Sequence, residues 1–368
     1  MSSVSRDAAP GDFLETGWFL LTKPVSIHIL ETMKHTHVGF NLLWMYNPED
    51  PRQPYAPDLH LLDFLADQGF SFLRFPLNYW FWIENFSYSQ PNERILCLID
   101  DYVRQAVDRG FHVSLNLHRA PGYCINGAEL ERHNLWRDGE AQEVFSAMWT
   151  AFARRYGSYT PEQLSFDLLN EPPEIGQYGM TRDIHQRLMR RVIGEIRAIN
   201  PDRVVVLDGL GGGNLAMPEL ADTGAIQSTR GYQPMSITHH RASWCRETQG
   251  LPMEEYPGAR YQGKLWNRQT LEDHYRSWRE MNDRGVQVHV GEMGCYDTIP
   301  NPTALAWFED VFSLFRQYRW GFALWNFEGP FGVAGHRRPD TRWESLGSYR
   351  IDRDLWELIK QTRDELQK

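Results

Sequence analysis

The segment DRGFHVSLNLH, residues 108–118, carries the pattern that decides the fold. It contains the charged end of an amphipathic stretch, then Gly110, and then a mostly apolar run over residues 111–118. A glycine just past a helix is expected to adopt the left-handed conformation that ends the helix. The same order recurs at residues 67–70 and 283–286. We therefore predict strands that follow directly on helices and run parallel through right-handed crossovers.

Eight short apolar or β-branched runs predict eight strands, separated by segments with the 3.6-residue period of amphipathic helices. Eight strand–helix units favour a closed (β/α)8 TIM barrel over an open sheet. Asp58, Thr181 and Thr303 are the predicted helix N-caps. The predicted strands are residues 37–43, 70–77, 111–118, 164–172, 203–210, 226–232, 286–294 and 321–329, and the predicted helices include residues 58–69, 94–109, 140–156, 181–199, 268–284 and 302–318.

No linker or break in composition divides the chain. We expect one catalytic domain over residues 1–368, with its core strands at about 37–329. The stretches at about 119–139, 233–267 and 330–347 are longer than the usual connections of about 2–6 residues. Because each follows a strand, we expect these extended loops on the C-terminal face of the barrel.

Charge and cysteine content exclude several classes of protein. The 38 basic and 48 acidic residues give a net charge of −10 without a basic run, which argues against nucleic-acid or membrane partners. The four cysteines form no C-x-x-C pair, so neither a zinc ribbon nor a disulfide framework is expected. Because the first residues lack a secretory-signal pattern, we expect a cytoplasmic protein, or a secreted one if a leader was removed.

Polar and aromatic residues end nearly every predicted strand, and in a barrel these ends converge on the face where active sites are built. Glu171 and Glu292 stand out, because an ionised carboxylate ending a buried strand is costly unless it is paired or functional. Cleavage of a glycosidic bond uses such a pair, one group protonating the leaving oxygen and the other attacking C1 or activating water. The residues at the strand ends are Asn41, Arg74, His118, Asn170, Glu171, Tyr232, Glu292 and Trp325.

Five motifs together resemble the family 5 glycoside hydrolases, in the clan of retaining barrels. Strand four ends in Asn170-Glu171-Pro172, strand seven in Gly291-Glu292-Met293-Gly294 and strand eight in Leu324-Trp325-Asn326-Phe327. Strand two contains Phe72-Leu73-Arg74-Phe75-Pro76, and strand three ends in Leu115-Asn116-Leu117-His118. The resemblance covers about residues 35–330. It implies a hydrolase of β-linked hexosides, of the β-glucan, cello-oligosaccharide or β-mannoside type, that needs no cofactor and no metal.

The resemblance also implies a role for each matching residue. Glu171 would be the general acid/base and Glu292 the nucleophile. Asn170 would bind the sugar 2-hydroxyl, and Arg74 would keep Glu292 ionised through a charge-assisted bond. The other implied sugar contacts are His118 beside the ring and Trp325 beneath it.

Strand six departs from the family pattern of His-x-Tyr-x-Pro followed by Thr-His. Here the sequence is Arg230-Gly231-Tyr232-Gln233-Pro234, with Thr238-His239-His240 after it. Tyr232 matches and can donate to Glu292. A cation at position 230 would hold Glu171 ionised, which opposes its use as an acid. Alternatively, Arg230 turns away and His239 or His240 fills the space.

Other interpretations of the same residues stay open. Asn41 could bind a sugar or cap its own turn. A metal-dependent barrel hydrolase would use His35, His37 or the His239-His240 pair. Such sites need several ligands at the C-terminal strand ends, but His35 and His37 fall at the wrong end of strand one, before Asn41. A carbohydrate-binding barrel without catalysis is a further alternative. Long loops that block the cleft would favour an exo-acting β-mannosidase or β-glucosidase on short oligosaccharides.

Overall fold

A computed structural model describes residues 37–47 and 54–368. Eight parallel strands follow one another around a closed barrel, and pairing of the second strand with the third closes the ring. All eight predicted strands and the predicted TIM barrel are confirmed. The strands are β1 Val38–Asn41, β2 Phe72–Asn78, β3 His112–Ala120, β4 Leu164–Asp167, β5 Val204–Asp208, β6 Ile226–Gly231, β7 Val288–Met293 and β8 Gly321–Leu324.

Helices surround the barrel. Asp58 and Thr181 are confirmed as N-caps, since each side chain accepts a backbone N–H of the first turn. Thr303 was wrong as a cap, because that helix already begins at Asn301, with Pro302 in a first turn that suits its fixed φ. The helices are α1 Leu59–Asp67, α2 Glu93–Val107, α3 Gly139–Arg155, α4 Arg182–Ile199, α5 Arg268–His274, α6 Arg276–Asp283, α7 Asn301–Tyr318 and α8 Arg353–Leu366.

The glycines between helix and strand have the predicted conformation. Gly69, Gly110 and Gly285 have φ values of 82°, 85° and 87°. An L-residue in this region costs about 1–2 kcal/mol, so glycine ends these helices without that strain. The chain can therefore turn from α1, α2 and α6 into the next strand through only four residues.

The strands are buried on both faces, as parallel strands covered by helices should be. In β3, Val113, Leu115 and Leu117 alternate with Ser114 and Asn116, and all five are buried. This period of two sends the apolar set to the helices and the polar set into the barrel. The barrel interior is therefore polar enough to hold a network of charged side chains.

At the N-terminal end of the strands the barrel encloses a cavity of about 310 Å³. His37, His112 and His289 line it, with the rings of His37 and His112 stacked 4.9 Å apart. Burial lowers the pKa of His112 to about 4 and that of His289 to about 3, so both are uncharged at neutral pH. His37 thus lies at the opposite end of β1 from Asn41, and His35 lies outside the described residues.

Three extended connections leave the C-terminal ends of β3, β6 and β8, as predicted. The β3–α3 connection folds back at once, because Tyr123–Cys124 pairs antiparallel with the end of β3. The β8–α8 connection contains a hairpin of Trp343–Leu346 and Tyr349–Asp352. Among the described residues, no helix has the length and apolar character needed to cross a bilayer.

Candidate active site

Glu171 lies four residues beyond the end of β4, at the mouth of the barrel. Its φ is +46°, which is unusual for a residue with a side chain. Its N–H donates to Asp208 Oδ2 at 3.1 Å, and its carbonyl accepts from the hydroxyl of Tyr123 at 2.7 Å. These bonds hold the strained backbone, and the side chain, 16% exposed, reaches the mouth.

Glu292 lies within β7 and is 4% exposed. The register of β7 shifts between Val290 and Glu292 against β6, and such a bulge re-aims a side chain. A Cβ on the intervening Gly291 would lie 2.5 Å from Ser228 Oγ, so only glycine fits there. The carboxylate accepts from Arg74 Nη1 at 2.6 Å and from the hydroxyl of Tyr232 at 3.3 Å.

Arg74 is the centre of the buried network, although it is the third residue of β2 and not its last. Burial opposes its charge, but Asp167, Glu292 and Asp208 outweigh burial and raise its pKa. The guanidinium is therefore a fixed cation. It donates to Asp167 Oδ2 at 2.6 Å, Asn41 Oδ1 at 2.9 Å, Glu292 Oε1 at 2.6 Å, Asn170 Oδ1 at 3.0 Å and Asp208 Oδ2 at 3.3 Å.

Asn41 is a support for Arg74 and not a sugar ligand. Its amide donates to the carbonyls of Gly291 and Leu324, both at 3.0 Å, and its oxygen accepts from Arg74. The side chain is fully buried and both amide hydrogens are used. The interpretation of Asn41 as substrate-binding is therefore wrong.

Arg230, at the end of β6, points into the site and does not turn away from Glu171. Its Nε donates to Glu171 Oε1 at 2.8 Å, and its Nη2 donates to Glu292 Oε1 at 3.3 Å. Its two terminal nitrogens also bind both oxygens of Asp208. Because one guanidinium contacts Glu171 and Glu292 together, the two carboxylates border a single narrow gap.

The proton affinity of Glu171 follows from the local balance of charge. Burial first, and the charge of Glu292 second, raise the pKa of Glu171 to about 7 against the opposing effect of Arg230. Burial and Asp208 likewise raise the pKa of Asp167 to about 7. Two arginines face four carboxyl groups here, so the cluster favours a bound proton. Arg230 does favour the ionised form of Glu171, as its charge suggests, but burial and Glu292 outweigh it. The alternative that Arg230 turns away is wrong.

The orientation of the Asn170 side-chain amide indicates which ring nitrogen of its neighbour His118 carries the proton. Asn170 Oδ1 accepts from Arg74 and Arg230, both at 3.0 Å, so its Nδ2 faces His118 Nε2 at 3.4 Å. Burial, with Arg74 and Arg230, holds the pKa of His118 well below its usual range. The ring is thus neutral, with its proton on Nδ1, and that atom has no partner among the described residues.

Aromatic rings line two sides of the mouth. Trp325 follows β8, and its ring lies 5.3 Å from His118, which in turn lies 3.9 Å from Tyr46. On the other side, His239 packs against Tyr232 at 4.9 Å. His240 instead approaches the Leu251 carbonyl and Thr298, so its assignment to the substrate site is wrong. Phe331, Trp244 and Tyr296 extend the second side outward.

Several residues of this site were not predicted from the sequence. Asp208 ends β5 and joins both arginines, and its position at a strand end was the available signal. Asp167 ends β4 and binds Arg74, but it lies inside a run that the sequence predicts to be one long strand. Tyr46 had no signal, because it reaches His118 from a turn after β1.

The side chains at the mouth that could bind a metal ion form ion pairs within the protein instead. Among residues 37–47 and 54–368, no group of three or more His, Cys, Asp or Glu side chains is arranged to hold a metal ion. The carboxylates at the mouth contact Arg74 and Arg230 instead. The arrangement can hold one proton on Glu171 beside a carboxylate on Glu292, which is what acid-assisted displacement at carbon requires.

Comparison with known proteins identifies the family. The model of "Cellulase (glycosyl hydrolase family 5)" matches residues 32–329, most of the chain. This protein belongs to glycosyl hydrolase family 5. It is an O-glycosyl hydrolase with a TIM-barrel fold, as the sequence resemblance predicted.

Relatives of this family 5 enzyme include proteins of known structure. A crystal structure described as a glycoside hydrolase is 50% identical, with a TM-score of 0.87, and the match covers 89% of this chain and 99% of the other. Cellodextrinase A from Ruminococcus flavefaciens is 27% identical over 69% of this chain and 73% of its own. Endoglucanase C from Acetivibrio thermocellus is 25% identical over 73% of this chain and 82% of its own.

Proposed function

We propose that this family 5 enzyme hydrolyses β-linked gluco-oligosaccharides with retention of configuration, using Glu171 as acid/base and Glu292 as nucleophile. The observation that carries the proposal is Arg230, whose guanidinium contacts both carboxylates at 2.8 and 3.3 Å. Contact with a single side chain keeps the two carboxyl groups close together. A separation of about 5–5.5 Å suits direct attack on C1, whereas inversion needs about 6.5–9.5 Å to admit a water.

In the first step, a carboxylate oxygen of Glu292 bonds to C1 of the sugar as the bond from C1 to the leaving oxygen breaks. The leaving oxygen takes the proton of Glu171. Glu292 Oε1 accepts from Arg74 and Arg230, while Oε2 accepts from the hydroxyl of Tyr232 at 3.3 Å. Burial, then Glu292, holds the pKa of Tyr232 well above its usual range, so Tyr232 keeps its proton and can donate it in a hydrogen bond to Oε2.

In the second step, Glu171, now a carboxylate, takes a proton from water as the water oxygen bonds to C1 and the bond from C1 to Glu292 breaks. The proton returns to Glu171, and two inversions leave the β configuration. In the covalent intermediate Glu292 carries no charge, so one of the causes that raise the pKa of Glu171 is removed. This change favours its role as a base at the moment that water must be activated.

The remaining residues position the sugar. His118 Nδ1 is buried and has no hydrogen-bond partner among the described residues, and we assign it to a sugar hydroxyl together with the side-chain amide of Asn170. Trp325, partly buried beside His118, offers an aromatic floor for a pyranose ring. His239 contributes by packing against Tyr232 and so orienting its hydroxyl.

For the substrate we favour short β-1,4-linked glucosides. Two of the relatives are named cellodextrinase and endoglucanase, and both names denote action on glucans. The extended connections after β3 and β6 provide walls that would restrict the length of the chain bound. β-Mannosides, and strictly exo-acting hydrolysis, are the alternative outcomes of the same test.

The test is hydrolysis of cello- and manno-oligosaccharides of two to six sugars, beside soluble glucan and mannan. We expect cello-oligosaccharides to be cleaved fastest, with the β-anomer of the new reducing end appearing first in proton NMR spectra. Preference for the manno series would overturn the substrate, and first appearance of the α-anomer would overturn the mechanism. A rapid fall in the viscosity of the polysaccharide solution would indicate endo-acting cleavage.

A further inference from the structure

The contact between Arg230 and Glu171 raises a problem for catalysis. A cation 2.8 Å from a general acid stabilises its ionised form and removes the proton that the leaving group needs. Yet Arg230 is 1% exposed and fixed among its partners, so it cannot swing away into solvent. Burial and the charge of Glu292 oppose its effect on the pKa of Glu171, and an anion bound to Arg230 itself would add to them.

Asp208 meets this requirement by geometry. It is fully buried at the end of β5 and binds both terminal nitrogens of Arg230, at 3.0 Å through Oδ1 and by a shorter contact through Oδ2. The same Oδ2 accepts the backbone N–H of Glu171 at 3.1 Å. Asp208 therefore fixes the arginine and the backbone of Glu171 at once. Arg230 presents its Nε edge to Glu171 and its terminal edge to Asp208.

We propose that Asp208 and Arg230 act as one charge-neutral unit that positions Glu171 and leaves it free to hold and release a proton. This inference rests on the acid/base role proposed above for Glu171. Asp208 is then a positioning residue, since it acts through Arg230 and the backbone of Glu171. The unit serves in this chain where the family pattern has histidine.

The other charged and titratable groups around the unit do not replace Asp208. Arg74 carries charge of the wrong sign, and Glu292, which also accepts from Arg230, gives up its charge as it bonds to C1, whereas Asp208 takes no part in bond formation. Burial would raise the pKa of Asp208, but Arg230 and Arg74 outweigh it and lower that pKa, so Asp208 stays an anion throughout. The groups around Glu171 and Arg230 on the neighbouring elements are Arg74, His118, Tyr123, Cys124, Asp167, Asp208, Ser228, Tyr232, His289 and Glu292.

The test is the alkaline limb of the pH profile of kcat/KM, because that limb reports loss of the proton from Glu171. Asp208→Asn leaves Arg230 uncompensated, so the limb should move to lower pH by about one unit or more. Arg230→Gln leaves the Asp208 anion facing Glu171, so the limb should move to higher pH by a similar amount. The double variant removes both charges and should return the limb close to its parental position.

Two substrates separate this effect from a general loss of structure. The shifts should be seen with a β-linked trisaccharide that the parent hydrolyses, and should be absent with the 2,4-dinitrophenyl glycoside of the same sugar, whose leaving group needs no proton. Melting temperatures show which variants are folded. If Asp208→Asn does not fold, Arg230→Gln and the double variant decide the question.

Variants that lose activity while the alkaline limb stays in place would show that the unit has a structural role alone, and would overturn the inference. That result is distinct from failure of the proposed function. If Glu171→Gln hydrolyses the trisaccharide as fast as the parent does, the acid/base assignment itself is wrong.

Discussion

The two walls of the barrel mouth hold their carboxylates in different ways. Glu292 lies inside β7, 4% exposed, and bonds Arg74 at 2.6 Å. Glu171 lies past the end of β4 in a left-handed conformation, 16% exposed, with its side chain on Arg230. A nucleophile must stay ionised and fixed, whereas a general acid must exchange its proton with the leaving group and with water. The difference between the walls matches that division of labour.

Removing Glu292 should have the largest effect. We expect Glu292→Ala to lose at least about 10⁴-fold in kcat, because the covalent route is lost. Added azide should restore turnover and give the α-glycosyl azide, while Glu171→Ala with azide should give the β-anomer. Product NMR checks both, and the melting temperature confirms folding. Unchanged turnover by Glu292→Ala would falsify its assignment as the nucleophile. Identical azide products from the two variants would contradict the different roles assigned to Glu292 and Glu171.

Glu171→Gln should lose about 10²–10⁴-fold on oligosaccharides, the usual contribution of general acid catalysis. The loss should be much smaller for a dinitrophenyl glycoside in the first step, measured as a pre-steady-state burst. Glu174→Gln is the matched control, since Glu174 is an exposed carboxylate three residues on. Equal losses for both substrates would mean that Glu171 does not donate a proton.

The pH dependence of kcat/KM tests the proton proposed for Glu171. In the proposed mechanism Glu171 acts in its protonated form, and its pKa is raised to about 7. The kcat/KM for oligosaccharides should therefore fall about tenfold per pH unit as the pH rises above 7. Initial rates across pH 5–9 measure the limb, and Glu171→Gln should lack it. A parental profile flat to pH 9 would contradict the charge balance described for this wall.

Trp325→Ala should have the smallest of these effects. We expect KM to rise about tenfold, because an aromatic contact of about 1.4 kcal/mol is lost, while Trp325→Phe should retain most of the affinity. Trp343→Ala is the control, as Trp343 belongs to the β8–α8 hairpin and packs against His336. A fall in kcat with no change in KM would place Trp325 in support of Glu292 instead of beneath the sugar.

Much of this molecule could be predicted from local sequence patterns. The helix–glycine–strand order at Gly69, Gly110 and Gly285 gave the barrel, because backbone strain is local. Glu171 and Glu292 could be found because strand ends converge in any barrel. The single domain over residues 1–368 and the cytoplasmic location stay predictions.

The errors and omissions share a cause. Asn41 and His240 are polar residues at suitable positions, but their hydrogen bonds go to Gly291, Leu324 and Leu251. Which partner a polar side chain takes depends on its rotamer and on segments that lie 11 to 283 residues away along the chain. No periodicity or motif encodes that choice.

The amino-acid sequence by itself determined the barrel, the family and the location of Glu171 and Glu292 at the barrel mouth, because turn chemistry, strand alternation and motifs act over a few residues. The tertiary structure alone decided what Arg230 does. Its sign suggested that it would ionise Glu171, but burial, the charge of Glu292 and Asp208 from the neighbouring strand β5 together outweigh it. The proton affinity of a buried group is set by the sum of all charges around it, and that sum exists only when the strands are brought together.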